Sequence, residues 1–510
     1  MYLIRKDLLR RRSAIFLVIC VIYFFALMAF RAYGGTYSQW KPYYWKSRAD
    51  ALNYKLGAMS AAFLAGSNNA DRTPVAVNSV PVLVYHGILE KSDGVNVDLE
   101  TFQDQMLALH KNGYHTISVN DLYDFLTGQK RLPRYSFLIT FDDGRKDSYY
   151  AADPLLNALG YSAVMFAIAE YSNNDRNGYY LDSDEIKRMA ESDNWTIGSH
   201  SYSHRDLARV SASDLPNEII GSRSALEDLI RRPVETFAFP FGDVGSNEAL
   251  NQSKRTLRDQ ALATYRMSFF QYLNGKRFTQ NYQLPGDLGD HYLVKRVSVK
   301  PEWSGEDLIT ILRAGNPKLL PYVASLDKHD GWVSTLWGDL RLENGRLIVQ
   351  ALPDSTGSAV VLDGTRLWRN YEFAASISKL GGSNIYLWAR FKDDNNYVAC
   401  NIGLSLAHIE EVVDGKVHVI KGTEVIIPES TKREGFNAII RVNGRTVECL
   451  SNGVPLVSTE FLSRTLDEGG IGFKVWDSAR GAAGISVTSV GVTSLEPGST
   501  PAESQKSATL

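Results

Sequence analysis

The sequence predicts an α/β domain built on a parallel, barrel-type sheet, followed by an all-β sandwich and preceded by one apolar helix. Three observations carry this reading. Short apolar strands alternate with amphipathic helices between Val80 and Arg313, which is the signature of strand-helix-strand units. Beyond Gly331 the helical pattern stops and turn dipeptides recur between alternating runs. Ahead of both, Ala14 to Phe30 runs for 17 residues without a charge.

That apolar run follows a basic stretch, residues 1–13, holding Arg5, Lys6, Arg10, Arg11 and Arg12. At about 1.5 Å rise per residue it is at the short end of what a hydrocarbon core about 30 Å thick requires, and Arg12 and Arg31 extend it by snorkelling. Residues 14–30 are therefore expected to be a transmembrane anchor. The basic flank keeps the N-terminus in the cytoplasm and sends the rest of the chain outside. Cleavage after Ala29 is the alternative. Residues 31–79 combine aromatics with a small-residue stretch over 57–78 and are expected to form a stalk or linker.

The catalytic unit is expected over 80–315. Strands are predicted at 80–85, 116–119, 137–141, 162–168, 195–198, 234–239 and 293–299. Helices are predicted at 99–111, 119–126, 150–159, 183–191, 212–230, 247–261 and 305–313. So many units in about 235 residues favour a barrel over an open sheet, and catalytic groups then gather where strands end. A linker over 316–330 leads to the sandwich at 331–495, whose turns include Asn344-Gly345, Asp414-Gly415 and Asn452-Gly453. The tail, 496–510, is rich in Pro, Ser and Ala and is expected to be disordered.

Composition narrows the function. With 55 Lys plus Arg against 57 Asp plus Glu, nothing favours nucleic acid as a partner. Three cysteines in 510 residues exclude a disulfide scaffold. Cys20 lies in the apolar segment. Cys400 and Cys449 read as core thiols of two strands, with a bridge between them as the alternative in an oxidising compartment.

The chemistry centres on Ser136 to Arg145, Ser-Phe-Leu-Ile-Thr-Phe-Asp-Asp-Gly-Arg. A buried strand that ends in two adjacent carboxylates sets like charges together, and a bound cation offsets that repulsion. One carboxylate then serves as ligand while the other stays free as a base; an ordinary Asp-Gly turn is the competing reading. A second strand end supplies Gly198-Ser-His-Ser-Tyr-Ser-His204. His200 and His204, four apart, would share one face of a helical turn, a spacing suited to a metal. One Asp with two His leaves open positions for water and substrate, as a catalytic Zn²⁺-type centre requires.

Thr140-Phe-Asp-Asp-Gly144, Ser199-His-Ser-Tyr-Ser-His204 and Phe239-Pro-Phe-Gly242 resemble the first three motifs of the NodB-type polysaccharide deacetylases, carbohydrate esterase family 4. Val82-Leu-Val-Tyr-His86, Phe102 to Met106 and Gly113-Tyr114 resemble the leader of its exported branch, which includes bacterial poly-N-acetylglucosamine deacetylases. The resemblance covers about 80–313. It implies a deformed (β/α)7 barrel, a divalent ion (Zn²⁺, with Co²⁺ or Ni²⁺ as alternatives) on Asp143, His200 and His204, and Asp142 as general base. It also implies a polysaccharide substrate, a bacterial cell membrane as location, and the Phe241 N–H as oxyanion donor, since Pro240 has none.

One motif of that family is missing. No Leu-x-x-His follows Phe241, so the acid that protonates the leaving amine falls to His291, with His86 as competitor. His86, Pro240 and Arg296 are taken as substrate-binding, and Arg296 is also placed to support Asp142. In the sandwich, Trp388-Ala-Arg-Phe-Lys-Asp-Asp-Asn-Asn-Tyr397 and Gly470-Ile-Gly-Phe-Lys-Val-Trp476 resemble concanavalin-like jelly rolls. That likeness makes Trp332, Trp337, Trp368, Trp388 and Trp476 candidates for sugar stacking as well as for core. The function expected is a metal-dependent deacetylase of a cell-wall or surface polysaccharide; a silent glycan-binding surface protein is the alternative.

Overall fold

The computed structural model describes residues 48–66, 71–75, 78–173, 178–242, 259–261, 263–271, 282–285, 293–335, 338–404, 406–423, 427–460, 463 and 465–496. The anchor expected over 14–30, most of the helix expected over 247–261, Trp337, His291 and the tail beyond Glu496 lie outside them. Among the described residues no helix is long and apolar enough to cross a membrane.

Among the described residues, seven parallel strands form the ring of the first domain, and His115–Thr116 adds a short parallel strand on Ser136–Phe137. The seven are β1 (Val80–Tyr85), β2 (Ser136–Phe141), β3 (Ala163–Ala167), β4 (Trp195–Ser199), β5 (Thr236–Ala238), β6 (Met267–Phe270) and β7, which comes in two pieces, Leu293–Lys295 and Val297–Ser298. Each pairs with the next. The first piece of β7 pairs with β6 and the second with β1, so the ring closes. Every residue of β1, β2 and β3 is buried, as expected for strands covered on both faces. Arg296, between the two pieces of β7, is where the last strand changes partner.

The outer helices start where capping chemistry places them. Asp98 accepts from the Thr101 N–H ahead of Leu99–Lys111. Ser118 with Asp121, Asp182 with Glu185 and Ser304 with Asp307 form capping boxes for Val119–Leu126, Ser183–Glu191 and Gly305–Ala314. The helix expected over 212–230 is divided into a π-turned Asn217–Gly221 and an α-helical Ser222–Ile230.

The stalk reading is corrected in its second half. Arg48–Ala65 is a helix docked on the barrel: Ala58 and Ala62 join the barrel core, and Tyr54 Oη donates to the Ala151 carbonyl at 2.5 Å. Small residues four apart let the backbone approach closely, which is why a composition suited to a tether serves here as packing. Residues 316–330 are likewise more than a linker, since Tyr322–Val323 pairs with Gly484–Ser494.

The second domain stacks two antiparallel sheets around one core. The turns Asn344-Gly345, Asp414-Gly415 and Asn452-Gly453 hold both residues at positive φ, the twist that closes tight hairpins. Cys400 in one sheet and Cys449 in the other form a disulfide with Cα atoms 5.9 Å apart, so these are bridged residues and not free core thiols. Trp332, Trp368 and Trp388 are buried and serve the fold; Trp476 is 38% exposed.

Candidate active site

The site sits at the C-terminal ends of the barrel strands. β2 delivers Asp142 and Asp143, and the backbone changes hand between them: Asp143 has φ 73° and Gly144 φ 68°. This break in strand alternation sends the two carboxylates to different partners. Asp142 is fully buried, its N–H donating to the Tyr85 carbonyl at 3.1 Å. Arg296 Nη1 and Nη2 donate to its two oxygens at 2.6 and 2.8 Å. Burial alone would raise the Asp142 carboxyl, but Arg296, His200 and His86 hold it below its ordinary range.

β4 delivers the histidines. Gly198 is required just before them, because a Cβ there would lie 2.5 Å from the Phe166 ring. His200 and His204 do not ride on a helical turn as their spacing suggested. The segment between them is irregular, with Ser201 at φ 66° and His204 at φ 59°. The Ser201 hydroxyl accepts from the His204 N–H at 3.0 Å, and the rings come to 4.9 Å between centroids. Glu218, from the π-turned segment, holds this loop by accepting from the Ser203 N–H at 3.0 Å and the Ser203 hydroxyl at 2.5 Å.

The ligand atoms of Asp143, His200 and His204 lie within 4.8 Å of one another. His204 Nε2 is 3.2 Å and His200 Nε2 3.5 Å from Asp143 Oδ1. His200 Nδ1 is 2.8 Å from the Ala238 carbonyl, which assigns its proton to Nδ1 and turns the Nε2 lone pair toward Asp143. Burial would raise the Asp143 carboxyl, yet the imidazoles of His200 and His204 beside it keep it well below the carboxylate range. Two imidazole nitrogens and one carboxylate oxygen, converging with one histidine oriented from behind, fit a divalent cation of the zinc type.

The rim completes the constellation. Phe241, at φ 59° and 46% exposed, stands edge-on to His204 at 4.8 Å, while Pro240 is buried and offers no surface to a ligand. Arg296 is fully buried, so its expected contact with substrate is replaced by its hold on Asp142. His86, after β1, lies 3.9 Å from Asp142 Oδ2 and 3.2 Å from Gln271 Nε2. Gln271 and Glu218 were missed in the sequence. The available signal for Gln271 was its position, a polar residue directly after β6.

A family model described as polysaccharide deacetylase matches residues 129–268. The chain carries a polysaccharide deacetylase domain. The match spans the aspartates, both histidines and Phe241. Among relatives of the deacetylase domain, YxkH of Bacillus subtilis (strain 168), named for polysaccharide deacetylases, is 28% identical over 177 residues, 35% of this chain and 61% of that protein. The poly-beta-1,6-N-acetyl-D-glucosamine N-deacetylase of Escherichia coli (strain K12) is 26% identical over 137 residues, 24% of this chain and 20% of that one. The chain thus spans less than two thirds of either relative. The solved Streptococcus pyogenes deacetylase PplD, in complex with acetate, is 21% identical with a TM-score of 0.38, covering 46% of this chain and 98% of that chain.

Proposed function

We propose that this protein is a metal-dependent deacetylase that removes N-acetyl groups from hexosamine units of a cell-wall or surface polysaccharide, acting outside the cell from a membrane anchor at 14–30. The observation that carries the reading is the convergence of Asp143, His200 and His204 within 4.8 Å, beside a buried Asp142 held by Arg296. Export draws support from the Cys400–Cys449 disulfide, because such bridges persist in oxidising compartments.

Asp143, His200 and His204 would hold the ion, Zn²⁺ first and Co²⁺ or Ni²⁺ as alternatives, which when bound polarises the acetyl carbonyl and acidifies a water. Asp142 takes a proton from the water that attacks the carbonyl carbon, its carboxylate fixed by the Arg296 fork. The Phe241 N–H donates to the developing oxyanion. His86, which faces Asp142 from β1, returns a proton to the amine nitrogen as the C–N bond breaks, and acetate and a free amine leave. His86 takes this role because its imidazole lies 3.9 Å from Asp142 Oδ2, beside the carboxylate that takes up the proton.

The test is acetate release from a panel of acetylated polysaccharides, before and after chelation and with metal restored. Asp142→Asn should bind metal without releasing acetate, and His200→Ala should bind none. A wild-type protein that neither holds a divalent ion nor deacetylates any member of the panel would refute the proposal.

A further inference from the structure

The seven-stranded sheet of the second domain has one face in the sandwich core and one facing away from it. Core-facing positions include Leu387, Cys400, Ile409 and Phe473, so strand alternation puts Tyr386, Asn401, His408 and Lys474 on the outer face. They form a row. Lys474 is opposite Tyr386, Tyr386 opposite Asn401, and Asn401 opposite His408, across four adjacent strands. Glu410 lies one step along, with Oε1 2.6 Å from His408 Nε2 and accepting from Asn401 Nδ2 at 3.2 Å. The Lys474 ammonium lies 5.1 Å from the Tyr386 ring centroid.

Two properties set this row apart from ordinary sheet surface. Asn401 is 3% exposed, and its Oδ1, together with the buried Nδ1 of His408, has no hydrogen-bond partner; an unmet buried polar atom costs about 1–3 kcal/mol. The row is also open. Tyr386, His408, Glu410 and Lys474 are part-exposed, with Ala359 opposite Lys474 and Gly422 opposite His408, while Tyr386 packs on one side against the buried cluster around Trp388 on the same face. Trp476, two residues beyond Lys474 on the same face, presents an exposed ring.

We infer that this row is a second carbohydrate site, distinct from the metal-ligand cluster, which takes one hexopyranose residue of an uncharged polysaccharide segment. Each sugar hydroxyl both donates and accepts, which matches acceptors at Asn401, His408 and Glu410 interleaved with donors at Lys474 and the Asn401 amide. The opposite charges of Lys474 and Glu410 balance, so the row favours neither a polyanion nor a polycation. Trp476 and Tyr386 offer faces for the apolar side of a sugar ring. The inference rests on the proposed function only for the supply of polymer: a site tethered to the deacetylase domain raises the local concentration of acetylated chain.

The experiment uses the full chain carrying Asp142→Asn, titrated calorimetrically with N-acetylglucosamine hexasaccharides in β-1,4 and β-1,6 linkage and with neutral glucan and mannan hexasaccharides. Two binding events are expected. Asn401→Ala and Glu410→Gln should each weaken one of them by about ten-fold or more, and in a chain with native Asp142 they should leave acetate release from a short acetylated oligosaccharide unchanged. Trp476→Ala, a surface change that spares the core, should weaken the same event if either first variant fails to fold. Unaltered affinity in the variants that fold, or loss of all binding on His204→Ala, would overturn the inference. Binding at this row without any acetate release would sink the catalytic reading alone.

Discussion

Arg296 places both terminal nitrogens on the carboxylate of Asp142, at 2.6 and 2.8 Å, from the point where the last barrel strand passes from one neighbour to the other. The fork spends its hydrogen bonds on orientation and leaves Asp142 Oδ2 still 3.9 Å from both His86 and His200. Closure of the barrel and orientation of the Asp142 carboxylate are therefore one event.

Arg296→Gln should cut kcat/KM by about 100-fold or more, within the usual range for losing a positioned base. It should also lower stability by about 3–5 kcal/mol, because a carboxylate is left buried without its partner. The direction with pH follows. Arg296 helps hold Asp142 below its ordinary range, so its removal raises that carboxyl and moves the acid limb of the rate profile to higher pH. Arg296→Lys, which keeps the charge and loses the fork, should recover stability more than rate. An acid limb that stays in place in Arg296→Gln would show that Asp142 is not the titrating base.

The site was legible wherever chemistry is local in sequence. Adjacent Asp142 and Asp143 after an apolar strand, and His200 with His204 after another, could be placed at one site because each pair belongs to one strand end. What could not be read depends on closure. Gln271 meets His86 only because β6 and β1 both flank β7, and Glu218 reaches Ser203 only through a π-turn that no residue pattern announces. The helical turn expected for the histidines failed because two non-glycine residues there adopt positive φ, a choice made by the surrounding packing. Cys400 and Cys449 were assigned to strands correctly, but their pairing depends on how two sheets stack.

His86 can be tested through the leaving group. If it protonates the departing amine, His86→Gln should slow hydrolysis of an N-acetyl substrate by about 100-fold or more. The same variant should slow an aryl acetate ester by less than about ten-fold, since a phenolate leaves without a proton. The two substrates share the base and the oxyanion contacts, so they differ only in this step. Equal losses on both would remove His86 from the proton transfer and give it a structural role beside Gln271.

The junction between the domains offers a stability test independent of catalysis. Lys318 is largely enclosed and donates to the carbonyls of Ala314 and Asp363 at 2.6 and 2.7 Å. Burial pushes its ammonium down to about 8, with Asp363 and Asp330 opposing. Below that pH both folded and unfolded chains carry the proton, and the folded one bears the cost of burying it. Between about 8 and about 10 the folded chain sheds the proton while the unfolded chain, whose lysine titrates near its ordinary value, retains it. The unfolded state then binds more protons, so stability should rise with pH across this window, by about 3 kcal/mol in full. Denaturation midpoints measured from pH 7 to 10 should climb in the native chain and climb less in Lys318→Met; parallel curves would mean that the lysine keeps its ordinary proton affinity in the fold.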